Sequence, residues 1–184
     1  MRIVGGQHRG TRLAEVGAGD AAAHLRPTSD RVRESLFGVL EGGRLGDPIT
    51  GARVLDLFAG TGALGFEALS RGAAHVTFVD DGVVAGRLID ANAARLGRAG
   101  DVTRLTCRAD GLPPGGPCGL IFLDPPYGHR LGGPALARAR AQGWVAPGTL
   151  VVWEEAAPQI APPGFTRRDA RRYGETHITF LESQ

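Results

Sequence analysis

Two short stretches carry side chains whose types and spacing could do chemistry: Val54-Leu-Asp-Leu-Phe-Ala-Gly-Thr-Gly-Ala-Leu-Gly65 and Ile121-Phe-Leu-Asp-Pro-Pro-Tyr-Gly128. Each ends an apolar run of strand type. In a parallel α/β sheet, ligands bind beyond the carboxyl ends of such strands. In the first stretch, Gly60 to Gly65 fits G-x-G-x-x-G, where glycines permit a tight turn and close approach of a nucleotide. Alone, that match does not separate cofactors. Asp56, four positions before Gly60, is the discriminating residue, because its carboxylate could accept from the ammonium of a methionine moiety and would repel a pyrophosphate. Asp80 closes the next strand, where its carboxylate could take both hydroxyls of a ribose. Asp81 could compete, although adjacent residues in extended chain point in opposite directions. Asp110, after Arg108 and Ala109, lies where an adenine amino group could donate to it. Phe58, Thr61, Gly62 and Ala109 complete the expected cofactor contacts. The plainer alternatives are that Asp56 supports its own turn and that Asp110 is a turn residue before Gly111.

In the second stretch, Pro125 and Pro126 fix φ and remove two backbone donors, leaving a stiff turn that presents carbonyls. An exocyclic amine on a nucleobase is a poor nucleophile, since its lone pair is delocalised into the ring. Hydrogen bonds from its two N–H groups to the Asp124 carboxylate and the Pro125 carbonyl would favour pyramidalisation and offset developing charge. Tyr127 can stack on the base, a contact of about 1 to 3 kcal/mol in comparable cases. Asp124 would thus face both base and cofactor. No metal is expected, because a sulfonium leaving group is already activated. Together the two stretches predict methyl transfer from S-adenosyl-L-methionine to a base amine.

The elements that must position these groups alternate strand and helix from Gly51 onward, the pattern of a doubly wound, mostly parallel sheet. Strands are expected near 53–58, 75–80, 102–107, 119–124 and 149–154, with helices over 63–71, 82–97 and 133–142. Residues 165–181 read as an antiparallel edge hairpin. Before the sheet, residues 2–16 read as a small hairpin with a basic tip at Gln7, His8 and Arg9. A loop over 17–24 follows, then a helix of three turns with a hydroxyl N-cap, whose apolar face holds Val32, Leu36, Val39 and Leu40 and which ends near Gly42-Gly43. The expected organisation is an amino-terminal extension over 1–25 and a catalytic domain over 26–184.

The 184 residues, 42% hydrophobic and 22% charged, suit one ordinary globular domain. Net charge is only +2 and the isoelectric point is about 8.9, so the chain is no polycation. All 21 basic residues are Arg, which fits phosphate and base recognition, although compositional bias explains the same fact more simply. Arg2, Arg9, Arg12, Arg26, Arg31 and Arg33 are read as an RNA-facing basic surface; no role is assigned to Arg167, Arg168, Arg171 and Arg172. Cys107 and Cys118 are too few for a disulfide framework and read as core thiols. No apolar run approaches the ~18 residues of a membrane span. A cytoplasmic, monomeric protein is expected.

With these residues in hand, the chain resembles the RsmD family, bacterial methyltransferases acting on the N2 of a guanine in 16S ribosomal RNA. The likeness rests on Met1-Arg-Ile-Val-Gly-Gly, on Arg26-Pro-Thr-Ser-Asp-Arg-Val-Arg-Glu-Ser-Leu-Phe37 above all, on the glycine loop through Gly72, on Asp124-Pro-Pro-Tyr127 and on Tyr173-Gly-Glu-Thr176. The resemblance implies a class I Rossmann-like fold with a small basic extension and a ribosomal RNA partner. It also implies that Asp124, Pro125 and Tyr127 hold the base while Asp56, Gly60, Gly62, Asp80 and Asp110 surround the cofactor. Gly38 replaces an Asn and Asp80 a Glu expected in relatives; nothing is carried over for His129 or Arg130. The competing readings are an adenine-N6 methyltransferase, a small dehydrogenase, which leaves Asp56 and Asp-Pro-Pro-Tyr unexplained, and a noncatalytic RNA-binding module.

Overall fold

The computed structural model describes residues 1–15 and 29–184. Helix α1 (Asp30–Glu41) precedes an alternating series: β1 (Arg53–Leu57), α2 (Ala63–Ser70), β2 (His75–Val79), α3 (Val83–Arg95), β3 (Val102–Leu105), β4 (Cys118–Leu123), α4 (Gly132–Ala141) and β5 (Val145–Glu155). The hairpin β6 (Phe165–Tyr173) and β7 (Thr176–Ser183) closes the chain. The sheet order is β3-β2-β1-β4-β5-β7-β6, with β1 to β5 parallel and β7 antiparallel between β5 and β6. Chain order reverses between β1 and β4, and the two expected chemical stretches leave the sheet side by side at that crevice. This is the α/β architecture expected from the alternation. No helix among the described residues is long and apolar enough to cross a membrane.

The two-residue period of the strands sends alternate side chains to two cores. Val54, Val76, Phe78, Leu120, Phe122, Val152 and Phe180 pack with α1, α2 and α3, whereas Leu55, Leu57, Ile121, Leu123, Val151 and Trp153 pack with α4. Asp56 is paired in register with Phe78 and Phe122, so it points to the α1–α2 face. Ser29 caps α1, accepting from Val32 N–H at 3.3 Å. The buried stripe of α1 is Arg33, Leu36, Phe37 and Leu40, while Val32 and Val39 are only half-buried. The helix is therefore rotated from the expected face, with Phe37 against Phe122 at 5.8 Å between ring centres.

All eight residues of α2 are buried. The sheet covers one side and the amino-terminal segment the other. Glu67, wholly buried, accepts from Val4 N–H at 2.9 Å and Gly5 N–H at 2.8 Å, and pairs with Arg71. A Cβ on Gly6 would come within 1.9 Å of the Ser70 carbonyl oxygen, so this approach needs glycine. Ile3 and Leu13 belong to the central core. The expected hairpin forms as a short antiparallel pairing about the bridge Arg2 to Arg12, with Ile3 N–H on the Thr11 carbonyl at 2.9 Å, Gly10 N–H on the Ile3 carbonyl at 2.8 Å and Leu13 N–H on the Met1 carbonyl at 3.2 Å, while Val4 and Gly5 give their amides to Glu67. The tip around His8 sits at the carboxyl end of α2, and the open end lies near Thr61. The expected loop over 17–24, the boundary near residue 25 and Arg26 lie outside the described residues.

Candidate functional site

The glycine loop leaves β1 through backbone that most side chains avoid. Phe58, Gly60 and Gly62 all have positive φ (62°, 54° and 76°). A Cβ on Gly62 would fall 2.7 Å from the Phe66 ring, so the close packing of loop, α2 and β2 excludes larger residues. Phe58 adopts the same region without that freedom, at a cost on the order of 1 to 3 kcal/mol. Asp80 holds the turn in place: Oδ2 accepts from Gly60 N–H at 2.9 Å and Oδ1 from Gly82 N–H at 2.8 Å. Asn92, buried on α3, donates to the Thr61 carbonyl at 3.1 Å and accepts from Ala14 N–H at 2.6 Å, linking loop and amino-terminal segment.

Asp56 is 1% exposed, and its Oδ2 accepts from Gly65 N–H at 2.9 Å. Burial, reinforced by the charge of Asp80 and opposed by the Gly65 bond, pushes its carboxyl up to about 8. The geometry therefore realises the supporting role, a clamp between β1 and α2. Asp80 faces the loop. Asp81 is exposed and acts instead on Cys107 and Arg108 at the end of β3. Asp110 is exposed in a single 3₁₀ turn and paired with Arg108 at 2.8 Å, beside the buried Ala109. Cys118 is a core thiol as expected, but Cys107 is only half-buried, because the strand ends at Leu105.

Asp124 leaves β4 with its N–H on the Leu57 carbonyl at 3.4 Å, followed by buried Pro125 and exposed Pro126. Phe122 is paired with Val152 and Leu123 with Trp153, and continuing that register by one residue sets Asp124 beside Glu154. Burial, then the charges of Glu154, Asp56 and Glu155, raise the Asp124 carboxyl well above the usual carboxylate range. The Tyr127 hydroxyl donates to Glu154 Oε1 at 3.0 Å and lies 3.0 Å from Thr176 Oγ1. Burial raises the phenol above its ordinary value. Sequence reasoning missed Glu154 and Glu155, although two acids ending the apolar run Leu150-Val-Val-Trp153 carry the same signal as Asp56 and Asp124.

Acids from β1, β2, β4 and β5 converge at the switch point. Such a donor set suits a ligand with a positive sulfur and an ammonium group, and opposes a diphosphate. The residues present therefore fit S-adenosylmethionine, with Asp80 and the glycine loop available to its ribose and the half-buried Asp124 to its cationic end. The dehydrogenase reading leaves the Asp124-Pro-Pro-Tyr127 turn unexplained.

The basic set divides. Arg2, Arg9, Arg12 and Arg31 are exposed. Arg33 is not part of any surface: it is wholly buried, pairing with Asp30 at 2.9 Å and donating to the Arg2 carbonyl. Its position on the buried stripe of α1 removes it from phosphate contact. Arg2, Arg9 and Arg31 line one cleft with Asp30 and Glu34, so the acids there partly offset the positive charge.

Across residues 1–182 the chain matches the family described as conserved hypothetical protein 95. It is 40% identical over 165 residues to ribosomal RNA small subunit methyltransferase D of Escherichia coli strain K12, covering 88% of this chain and 78% of that protein. The Haemophilus influenzae protein of the same name is 35% identical over 174 residues, covering 90% and 85%. The Escherichia coli protein yhhF superposes with a TM-score of 0.84 at 32% identity, over 100% of this chain and 98% of that one. Sheet order, crevice and sequence agree, and the chain belongs to the RsmD family of Rossmann-like methyltransferases.

Proposed function

We propose that this chain transfers a methyl group from S-adenosyl-L-methionine to the exocyclic N2 of a guanine in 16S ribosomal RNA, in the cytoplasm. The observation that carries the reading is Asp124, a half-buried acid on a proline-stiffened turn, set across the switch point from the glycine loop. When bound, S-adenosylmethionine supplies a methyl group on a positively charged sulfur. Asp124 and the Pro125 carbonyl accept the two N–H groups of the amine, holding its nitrogen for attack. The prolines keep these acceptors fixed, so little reorganisation is needed as charge develops. Tyr127 supports the base plane. Ribosomal RNA is the substrate named for the relatives, and the exposed Arg2, Arg9, Arg12 and Arg31 offer phosphate a basic surface.

The test is methylation of small ribosomal subunits, and of naked 16S RNA, prepared from cells lacking this gene. Nucleoside analysis should yield N2-methylguanosine. N6-methyladenosine in its place would overturn the guanine assignment, and no methylated nucleoside would overturn the reading.

A further inference from the structure

Resting on the reading above, we infer that Thr176 and Glu154 are positioning residues that hold the Tyr127 ring as a fixed stacking wall for the target base. Three separate elements meet at one phenolic oxygen. Tyr127 follows β4, Glu154 lies near the end of β5, and Thr176 opens β7 after the turn Tyr173-Gly174-Glu175. Tyr127 and Thr176 are 49 residues apart in sequence.

The directions of the bonds follow from donor counts. A phenol has one proton, and a carboxylate can only accept. Tyr127 O–H is therefore given to Glu154 Oε1 at 3.0 Å, which makes Thr176 the donor to the phenolic oxygen, also at 3.0 Å. The chain Thr176 to Tyr127 to Glu154 is one-way. Glu154 is buried and Thr176 half-buried, so water competes poorly for either bond. The two bonds fix the phenolic oxygen and so the swing of the ring about its first torsion; because a phenol O–H and its accepting lone pair prefer the ring plane, they also favour the one ring face that is coplanar with both anchors. The two anchors are themselves fixed by neighbouring strands, since Glu154 is paired with Ile178 and Thr176 with Tyr173. The edge hairpin thereby reaches the reacting centre. The Tyr173-Gly-Glu-Thr176 motif acquires a purpose: Gly174, at φ 62°, makes the tight turn that delivers Thr176.

The test uses the full chain with Tyr127→Phe, Thr176→Val and the double variant. Methyl transfer to small ribosomal subunits should fall in kcat by about tenfold for Tyr127→Phe and by less for Thr176→Val, with cofactor affinity within twofold. Because Thr176 acts through the phenol, the double variant should be no slower than Tyr127→Phe. Losses that multiply would overturn the inference. The chain has two tyrosines, so selective ring labelling resolves Tyr127 by NMR without any substrate. In Thr176→Val its ring should flip faster than in the wild type; an equally rigid ring would overturn the inference. Failure of the wild type to methylate ribosomal RNA, with the ring rigid and released by Thr176→Val, would sink the proposed substrate and leave the positioning role standing.

Discussion

Asp80 and Gly60 are joined by a hydrogen bond of 2.9 Å that ties the end of β2 to the turn leaving β1. The acid expected to recognise a ribose thus also fixes the loop around it. Asp80→Ala should weaken S-adenosylmethionine binding by about 1.5 to 3 kcal/mol, the worth of charge-assisted hydrogen bonds. Calorimetry with S-adenosylhomocysteine, which lacks the sulfonium charge, should show the same loss. An unchanged affinity would move the ribose contact away from Asp80.

Asp124→Ala should abolish methyl transfer while S-adenosylhomocysteine still binds within a few fold. In the wild type, kcat/KM should rise with pH along an acid limb set by ionisation of Asp124. Burial and neighbouring acids raise that carboxyl, so the limb should lie well above the ordinary carboxylate range. Glu154 is the largest charge contributing to the shift, so Glu154→Gln should move the limb to lower pH. A limb that stays in place would show that another group controls it.

Asp56 makes a different pH dependence. Its folded carboxyl is raised to about 8, so between roughly pH 4, the unfolded value, and pH 8 the folded chain keeps a proton that the unfolded chain has released. Stability must then fall as pH rises through that window. In Asp56→Asn the fall in Tm from pH 5 to pH 8 should be smaller than in the wild type. Parallel Tm curves would contradict the raised value.

Glu67→Ala should destabilise the fold by about 3 to 5 kcal/mol, as removal of one partner from a buried charged pair does. It leaves the amides of Val4 and Gly5 and the guanidinium of Arg71 without their shared acceptor. Urea denaturation measures the loss. A cost below 1 kcal/mol would mean that the amino-terminal segment is loosely held.

RNA binding by the exposed arginines is best tested by charge removal, because deleting the segment would also strip Ile3 and Leu13 from the core. Substituting Arg2, Arg9, Arg12 and Arg31 by Gln should flatten the slope of log affinity against log salt by about 0.7 to 0.9 for each phosphate that is no longer neutralised. Equal slopes would place the RNA elsewhere.

Much of this was legible in the sequence for local reasons. Alternating apolar runs and amphipathic segments mark β1 to β5 and their helices, since strand and helix periods are properties of neighbouring residues. Asp56 stood out by its place four residues before Gly60, and Asp124 because an acid ending an apolar strand is costly unless something compensates it. What was hidden depends on distant partners. Thr176 reaches Tyr127 only through strand order, and the α2 helix is buried on all sides only because residues 1 to 15 cover it. The burial of Arg33 was legible too, against its reading as a surface charge: it lies three, four and seven positions before Leu36, Phe37 and Leu40, the spacing of one helical face.

The seating of the amino-terminal segment also dictates an order of assembly. Val4 and Gly5 find their acceptor 63 and 62 residues later, and Ala14 meets Asn92 78 residues later. During synthesis at about 5 to 20 residues per second, these residues must wait several seconds for their partners. Ile3 and Leu13 spend that interval uncovered, available to a chaperone or to another nascent chain.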